Sequence, residues 1–361
     1  MKKIFYFILI FFFGFSSLSF GEYYAGWTVG RARDGYGAIY STIDSGTNWE
    51  RQGSNQIADV NLYGVFAIDP NTAWVVGSSN SGYATIYYTN DGGNTWERKG
   101  IGSPALSNVS LSKVHVSSNN IWATGFGAII HSSDNGNSWT NCIPVEYTNI
   151  LLQGIFSING STVWVSGAGT SKTDYATMLK TTDGGQSWIR QSGGIITNIN
   201  HLLGISAANP QELWAVGGGG FITLHSNDGG NSWTLQSQSS NYGDANEVSA
   251  VNSNTVWVAN DNFVQWSFDG GITWSNKTSF FYTMGITAVN ETEAWSAICD
   301  AIYNKGYVNH TSDGGQNWEQ QLSTAPPLWT ISFAHEAIPE PIHILLFIYQ
   351  IFLITHRKFY D

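Results

Sequence analysis

Acidic, basic and imidazole side chains are few enough in this sequence to be weighed one by one. Its 361 residues include 26 Asp and Glu, 15 Lys and Arg, and 8 His. Seven aspartates (Asp44, Asp91, Asp134, Asp183, Asp228, Asp269 and Asp313) hold the same place in a repeated pattern, Ser/Thr-x-Asp-x-Gly-x-x-Trp. A carboxylate so placed could ligate calcium or transfer a proton. Seven symmetric copies cannot serve one active site, however. A short Asp side chain also closes an Asx-type turn by accepting hydrogen bonds from N–H groups just downstream, with the Ser/Thr hydroxyl assisting. Turn formation accounts for all seven.

The other candidates are weaker. A glycosidase needs two carboxylates about 5–10 Å apart, and Asp34, Asp59, Asp174, Asp244, Asp261 and Asp300 are available, but spacing alone does not show that any two converge. His131, His225 and His310 each stand directly before a repeated motif. Equivalent positions in different repeats cannot share an ion, so these read as strand-surface residues and no metal or cofactor is expected. Cys142 and Cys299 fall in different repeats, which argues against a disulfide. Gly217–Gly220 joins two strands and opens no helix, so a hairpin is favoured over a phosphate cradle.

The elements that position these residues follow from the motif. Its copies are 41 to 49 residues apart, the period of a propeller, solenoid or array. The Gly two places after each Asp permits the positive φ of a tight hairpin. The closing tryptophans (Trp49, Trp96, Trp139, Trp188, Trp233, Trp274 and Trp318) then start a strand, each burying roughly 150–250 Å². A second register of tryptophans (Trp27, Trp74, Trp122, Trp164, Trp214, Trp257 and Trp295) marks another strand of every repeat. Four strands per repeat are expected, as in Leu62–Ile68, Ala73–Gly77, Ala84–Thr89 and Trp96–Lys99. The fold expected is all-β: a seven-bladed β-propeller of four-stranded antiparallel blades. The first repeat lacks an innermost strand, and Leu328–Phe333 resembles one. The C-terminal strand is therefore expected to pair with the N-terminal blade and close the ring, removing exposed edges.

The octapeptide resembles the Asp-box, or BNR repeat, of sialidases, sortilin-type receptors, xyloglucan hydrolases and photosystem II assembly-factor propellers. With the second-strand motifs Ala73-Trp74-Val75-Val76-Gly77, Ile121-Trp122-Ala123-Thr124-Gly125 and Leu213-Trp214-Ala215-Val216-Gly217, it is most similar to the assembly factors. That resemblance implies a non-catalytic propeller that holds other proteins, although the arginine-rich face of that family is missing. A sialidase would need three arginines on its substrate. Between the termini only Arg31, Arg33, Arg51, Arg98 and Arg190 occur, and Arg51 and Arg98 share an outer-strand register with Arg190 beside it.

Both ends read as targeting segments. Met1-Lys2-Lys3, an apolar run Ile4–Phe15 and Ser19-Phe20-Gly21 form a secretory signal peptide over residues 1–21, with an uncleaved anchor as the alternative. Pro339-Glu340-Pro341, an apolar run Ile342–Thr355 and a basic end with Arg357 and Lys358 resemble a PEP-CTERM sorting signal over residues 336–361. That apolar run, about 14 residues and roughly 21 Å as a helix, falls short of a ~30 Å hydrocarbon core. A transient membrane contact fits better than a permanent tail anchor. The resemblance implies Sec export, cutting by an exosortase-type sorting protease, and a place at the cell surface or in the extracellular matrix of a Gram-negative-type bacterium. Between the two end segments lie 23 acidic and 11 basic side chains, which excludes nucleic acid and anionic membrane surfaces as partners.

Binding residues concentrate on loops held by a rigid scaffold. The links Arg31–Gly35, Ala168–Asp174 and Cys299–Gly306 within repeats, and Gly53–Asn61, Gly100–Ser110 and Gln236–Asp244 between them, are the long ones. They are expected on the face opposite the motif turns. Candidate binding residues there are Arg31, Arg33, Tyr36, Tyr83, Asp174, Tyr175, Phe281, Tyr282 and Tyr307. Tyr36, Tyr83, Tyr175 and Tyr307 are read as equivalent positions following such loops, with inter-blade packing as their alternative role. The sequence thus predicts a propeller (residues 22–335) that binds protein or polysaccharide without catalysis. The alternative is a carbohydrate-active enzyme, sialidase-like or another glycoside hydrolase, with its site on the long-loop face.

Overall fold

The structure, a computed structural model, describes residues 23–170, 175–191, 199–239, 243–278 and 282–338. Residues 24–336 form one compact unit. The signal-peptide segment, the Pro-Glu-Pro tail with Arg357 and Lys358, and the candidates Asp174 and Phe281 lie outside the described residues.

Seven four-stranded antiparallel sheets form the described fold. In each blade the inner strand leads to a second, a third and an outer strand. The first blade takes its inner strand, Leu328–Ile338, from the far end of the chain and pairs it beside Tyr23–Arg33, as expected from the sequence. Arg31 N–H donates to Pro327 C=O at 2.9 Å and Thr28 Oγ1 to Thr330 C=O at 2.8 Å, sewing this closure. Phe333 then stacks on Trp295 (centroids 3.8 Å apart) and meets Trp49 edge-on at 6.0 Å, joining blade seven to blade one. Gly26 is required there, because a Cβ would lie 2.6 Å from the Phe333 ring.

The two tryptophan registers explain each other. Every second-strand Trp is at most 2 % exposed. The motif Trp of the following blade meets it edge-on: Trp139 on Trp74, Trp188 on Trp122, Trp274 on Trp214 and Trp318 on Trp257, with centroids 5.9–6.4 Å apart. Burying an indole is worth on the order of 4–6 kcal/mol before chain entropy. The repeat therefore places its largest apolar groups where blades must adhere.

Inner strands carry a further regularity. In blades two to seven each is bulged at one place, and the residue just after the bulge is Gly64, Lys113, Gly154, Gly204, Glu247 and Gly285, with Thr330 at the matching sequence position of blade one. Five are small. The other two are long, of opposite charge, and meet each other (Lys113 Nζ to Glu247 Oε2), while Thr330 Oγ1 lies 3.4 Å from the same ammonium. An ion pair between blades three and six thus spans the ring of inner strands.

Candidate functional site: the face opposite the motif turns

The seven motif turns have one geometry. Asp91 Oδ1 accepts the Thr89 hydroxyl at 2.9 Å and the Thr95 N–H at 2.9 Å, and Oδ2 accepts the Thr95 hydroxyl at 2.6 Å. Gly93 N–H donates to Thr89 Oγ1 at 3.0 Å. The motif glycines have φ of 79–90°. The hydroxyl and N–H of the residue four places on hold the carboxyls of Asp134, Asp183 and Asp269 down at about 2, and that of Asp228 likewise. These carboxylates are committed to their own turns. In blades two to seven each turn is tied to the first-to-second-strand loop of its blade, as in Gly92 N–H to Asn71 C=O and Gly229 N–H to Gln211 C=O, and in blade one Ser45 N–H donates to Tyr24 C=O of the second strand. Both sets of turns share one face, leaving the opposite face for the hairpins and inter-blade links.

On that opposite face two expectations are corrected. Arg31–Gly35 is not an open loop. Strands Tyr23–Arg33 and Tyr36–Thr42 continue past the sheet, bulged between Gly30 and Arg33, and meet in a two-residue Asp34-Gly35 turn with φ of 59° and 85°. Cys299–Gly306 is likewise mostly hairpin, with strands Ala294–Asp300 and Lys305–Thr311. Nor is Tyr307 equivalent to Tyr36 and Tyr83. Those two face Arg33 and Asn80 at the hairpin tips, whereas Tyr307 pairs with Ile298 deeper in its sheet. Burial, then the Asp300 carboxylate, push the Tyr307 phenol above its usual range.

The outer-strand arginines hold these hairpins. Arg51 donates to Arg33 C=O at 2.6 Å, Arg98 to Asn80 C=O at 2.8 Å and Arg190 to Tyr175 C=O at 3.0 Å. All three occupy one register, two residues after the motif Trp, so Arg190 is in line with the others rather than beside them. The Arg190 guanidinium also lies 4.2 Å from the Tyr175 ring centroid, making Tyr175 a packing residue. The three arginines serve separate blades and do not converge.

Other groups do come together. Arg33, Tyr303, Asn304, Lys305, Ser323 and Thr324 line a cleft of about 390 Å³ between blades one and seven. Arg31 reaches Asn304 Oδ1 at 3.2 Å and Arg33 reaches Thr324 C=O at 3.2 Å. Near the inner strands of blades five and six, His201 Nε2 lies 3.1 Å from Asp244 Oδ2, and Asp244 N–H donates to Asp261 Oδ2 at 3.1 Å. Gly218 makes room, since a Cβ there would sit 2.1 Å from His201 Nε2. Asp244 and Asp261 are thus the sequence candidates that meet. Asp34 is held by Arg51 at 3.1 Å, and Asp300 accepts the N–H groups of Ile302 and Tyr303, both at 3.1 Å. Tyr282 is exposed.

The three motif-adjacent histidines stack on core tryptophans: His131 on Trp122, His225 on Trp214 and His310 on Trp295, with centroids 3.8–4.6 Å apart. His225 and His310 also meet Glu212 and Glu293 at 2.7 and 2.6 Å. Both cysteines are free, and burial pushes the Cys142 thiol up to about 11. Sequence reasoning missed Lys113, Glu247 and His201. The first two had a signal, because they replace the Gly of the Gly-Val/Ile pair that four of the seven inner strands carry.

A family model for photosynthesis system II assembly factor YCF48 matches residues 54–147 and 145–279, more than half of the chain. The chain belongs to the YCF48 family. Among solved structures, a YCF48 bound to D1 peptide is similar at 19 % identity and TM-score 0.54, covering 72 % of this chain and 82 % of that one. YCF48 from Cyanidioschyzon merolae gives 18 % identity, TM-score 0.54, and coverage of 72 % and 85 %. An ancestral GH74 enzyme gives 12 % identity and TM-score 0.54, covering 81 % of this chain but 39 % of the enzyme. At such identities the likeness is one of fold. A search of curated proteins finds no match.

Proposed function

We propose that this member of the YCF48 family is a non-catalytic binding propeller that takes a polypeptide partner on its hairpin face. The observation that carries this reading is the cleft between blades one and seven. Within a chain of net charge −11, it gathers Arg33 and Lys305, with Arg31 alongside, next to the exposed side chains of Ile302 and Tyr303. Cations beside exposed apolar and aromatic groups suit an acidic or carboxylate-bearing peptide segment. The family supports a protein partner, since one YCF48 has been solved with a peptide bound. The two end segments support export, with exosortase-type processing and a place at the cell surface.

The test is site-specific photo-crosslinking in the native host, with the reactive group at Tyr303 on the hairpin face or at Ile272 on the motif face. A discrete protein adduct at Tyr303, lost on Arg33→Glu, is expected. Equal adducts at Ile272, or adducts that ignore the charge reversal, would overturn the assignment. A glycoside hydrolase is the second reading, favoured by one observation: Asp244 and Asp261 meet beside His201. Turnover of any glycoside, abolished by Asp244→Asn, would replace the binding reading.

A further inference from the structure

We propose that the groove between blades six and seven is a saccharide-binding site, separate from the hairpin-face cleft. It encloses about 310 Å³, at the small end of ligand pockets, which run roughly 300–1,000 Å³. It exists because blade seven departs from the repeat. At the inner-strand position that is Leu62, Leu111, Leu152, Leu202 and Leu328 in five blades, blade seven carries Thr283. At the next ladder level, blades two to five pair Val75 with Tyr87, Ala123 with Ile130, Val165 with Leu179 and Ala215 with Leu224, whereas blade seven pairs Ser296 with Asn309. Where blades one, two and four place an outer-strand arginine, blade seven has Gln320.

Apolar filling is thus replaced by hydroxyls and amides. Thr283 is fully buried, and its hydroxyl has no hydrogen-bond partner among the described residues. A buried, unpaired hydroxyl is destabilising, and a ligand hydroxyl lying in the groove would offset that loss. Trp318 lines the groove with a half-buried indole, and Lys277 stands on the blade-six side, its ammonium 3.3 Å from Gln316 C=O. Neutral amides and hydroxyls beside an indole, with no carboxylate lining the groove, match a polyhydroxylated, uncharged ligand: hydroxyls meet the amides while the C–H face of a sugar ring packs on the aromatic surface.

The test is isothermal titration and saturation-transfer NMR of the full chain with cellotetraose, xylotetraose and maltotetraose. At least one should bind. Gln320→Ala, on the exposed outer strand, should weaken it about tenfold. Thr283→Leu with Asn309→Leu, which restores aliphatic side chains of the kind other blades carry there, should abolish binding while the melting temperature holds or rises. Arg33→Glu should change nothing here, so this proposal and the hairpin-face reading fail separately. If none of the three sugars binds, or both groove variants bind as the native chain does, the groove is only a packing defect and the proposal is wrong.

Discussion

Blades four and seven meet their preceding neighbours through the same ladder positions with opposite chemistry. In blade four, Leu152, Val165 and Leu179 form a closed apolar cluster with Tyr147 and Ile150 from the preceding link. In blade seven the matching residues are Thr283, Ser296 and Asn309, and a groove remains. Both blades keep the second-strand Trp, the motif turn and the four-stranded ladder. Blade seven still packs Ile286, Ala288 and Ala294 with Trp257, Val264 and Trp266 of blade six, so part of the interface holds the blade while the ladder positions beside the groove are freed for other use. In a repeat protein, positions that follow the period mark adhesion between units. Those that leave it are where binding chemistry should be sought.

The largest effect expected outside the apolar interfaces concerns the pair joining the two halves of the ring. Lys113→Ala leaves Glu247 as a part-buried charge without its partner and should cost about 2–4 kcal/mol. Burial pulls the Lys113 ammonium down to about 8. The double change Lys113→Met with Glu247→Leu should recover most of the loss in urea unfolding. If the double variant is as unstable as the single one, the pair does more than compensate two buried charges.

A smaller effect, shared by blades two to seven, comes from the motif aspartates Asp91, Asp134, Asp183, Asp228, Asp269 and Asp313. Their carboxyls sit below the ordinary value in the folded chain, at about 2 for Asp134, Asp183, Asp228 and Asp269, and lowered for Asp91 and Asp313. A depressed folded pKa means the unfolded chain binds more protons, so this contribution is complete above about pH 4 and fades as pH falls toward 2. Melting temperature followed from pH 5 to 2 should drop through that window. Hydrogen exchange should show the motif turns loosening together in blades four and seven alike. Loosening confined to blade seven would mean that its departures weaken the scaffold as well as the interface.

Much of this was legible before any coordinates. The motif turns, both tryptophan registers and the ring closure through Leu328–Phe333 recur or complete a recurrence, so their meaning survives in sequence order. What was hidden depends on single residues far apart in the chain. Lys113 and Glu247 stand 134 residues apart and meet only because the ring brings blades three and six face to face. The Arg31–Gly35 hairpin reads as a loop in sequence because strands that project beyond a sheet are solvated on both sides and lose the apolar alternation that marks them. Tyr307 matches Tyr36 and Tyr83 only when counted from its loop, whose length varies; counted from the Thr311-x-Asp313 turn, which is fixed, it stands two residues out of register.

The central claim is that one ladder position serves adhesion in blade four and not in blade seven. Thermal unfolding of Leu179→Asn and Asn309→Leu, measured side by side, addresses it most directly. Leu179→Asn should cost about 3 kcal/mol or more, because it puts an unpaired amide into a closed apolar interface, whereas Asn309→Leu should leave the melting temperature level or raise it. Comparable losses in both would contradict the account.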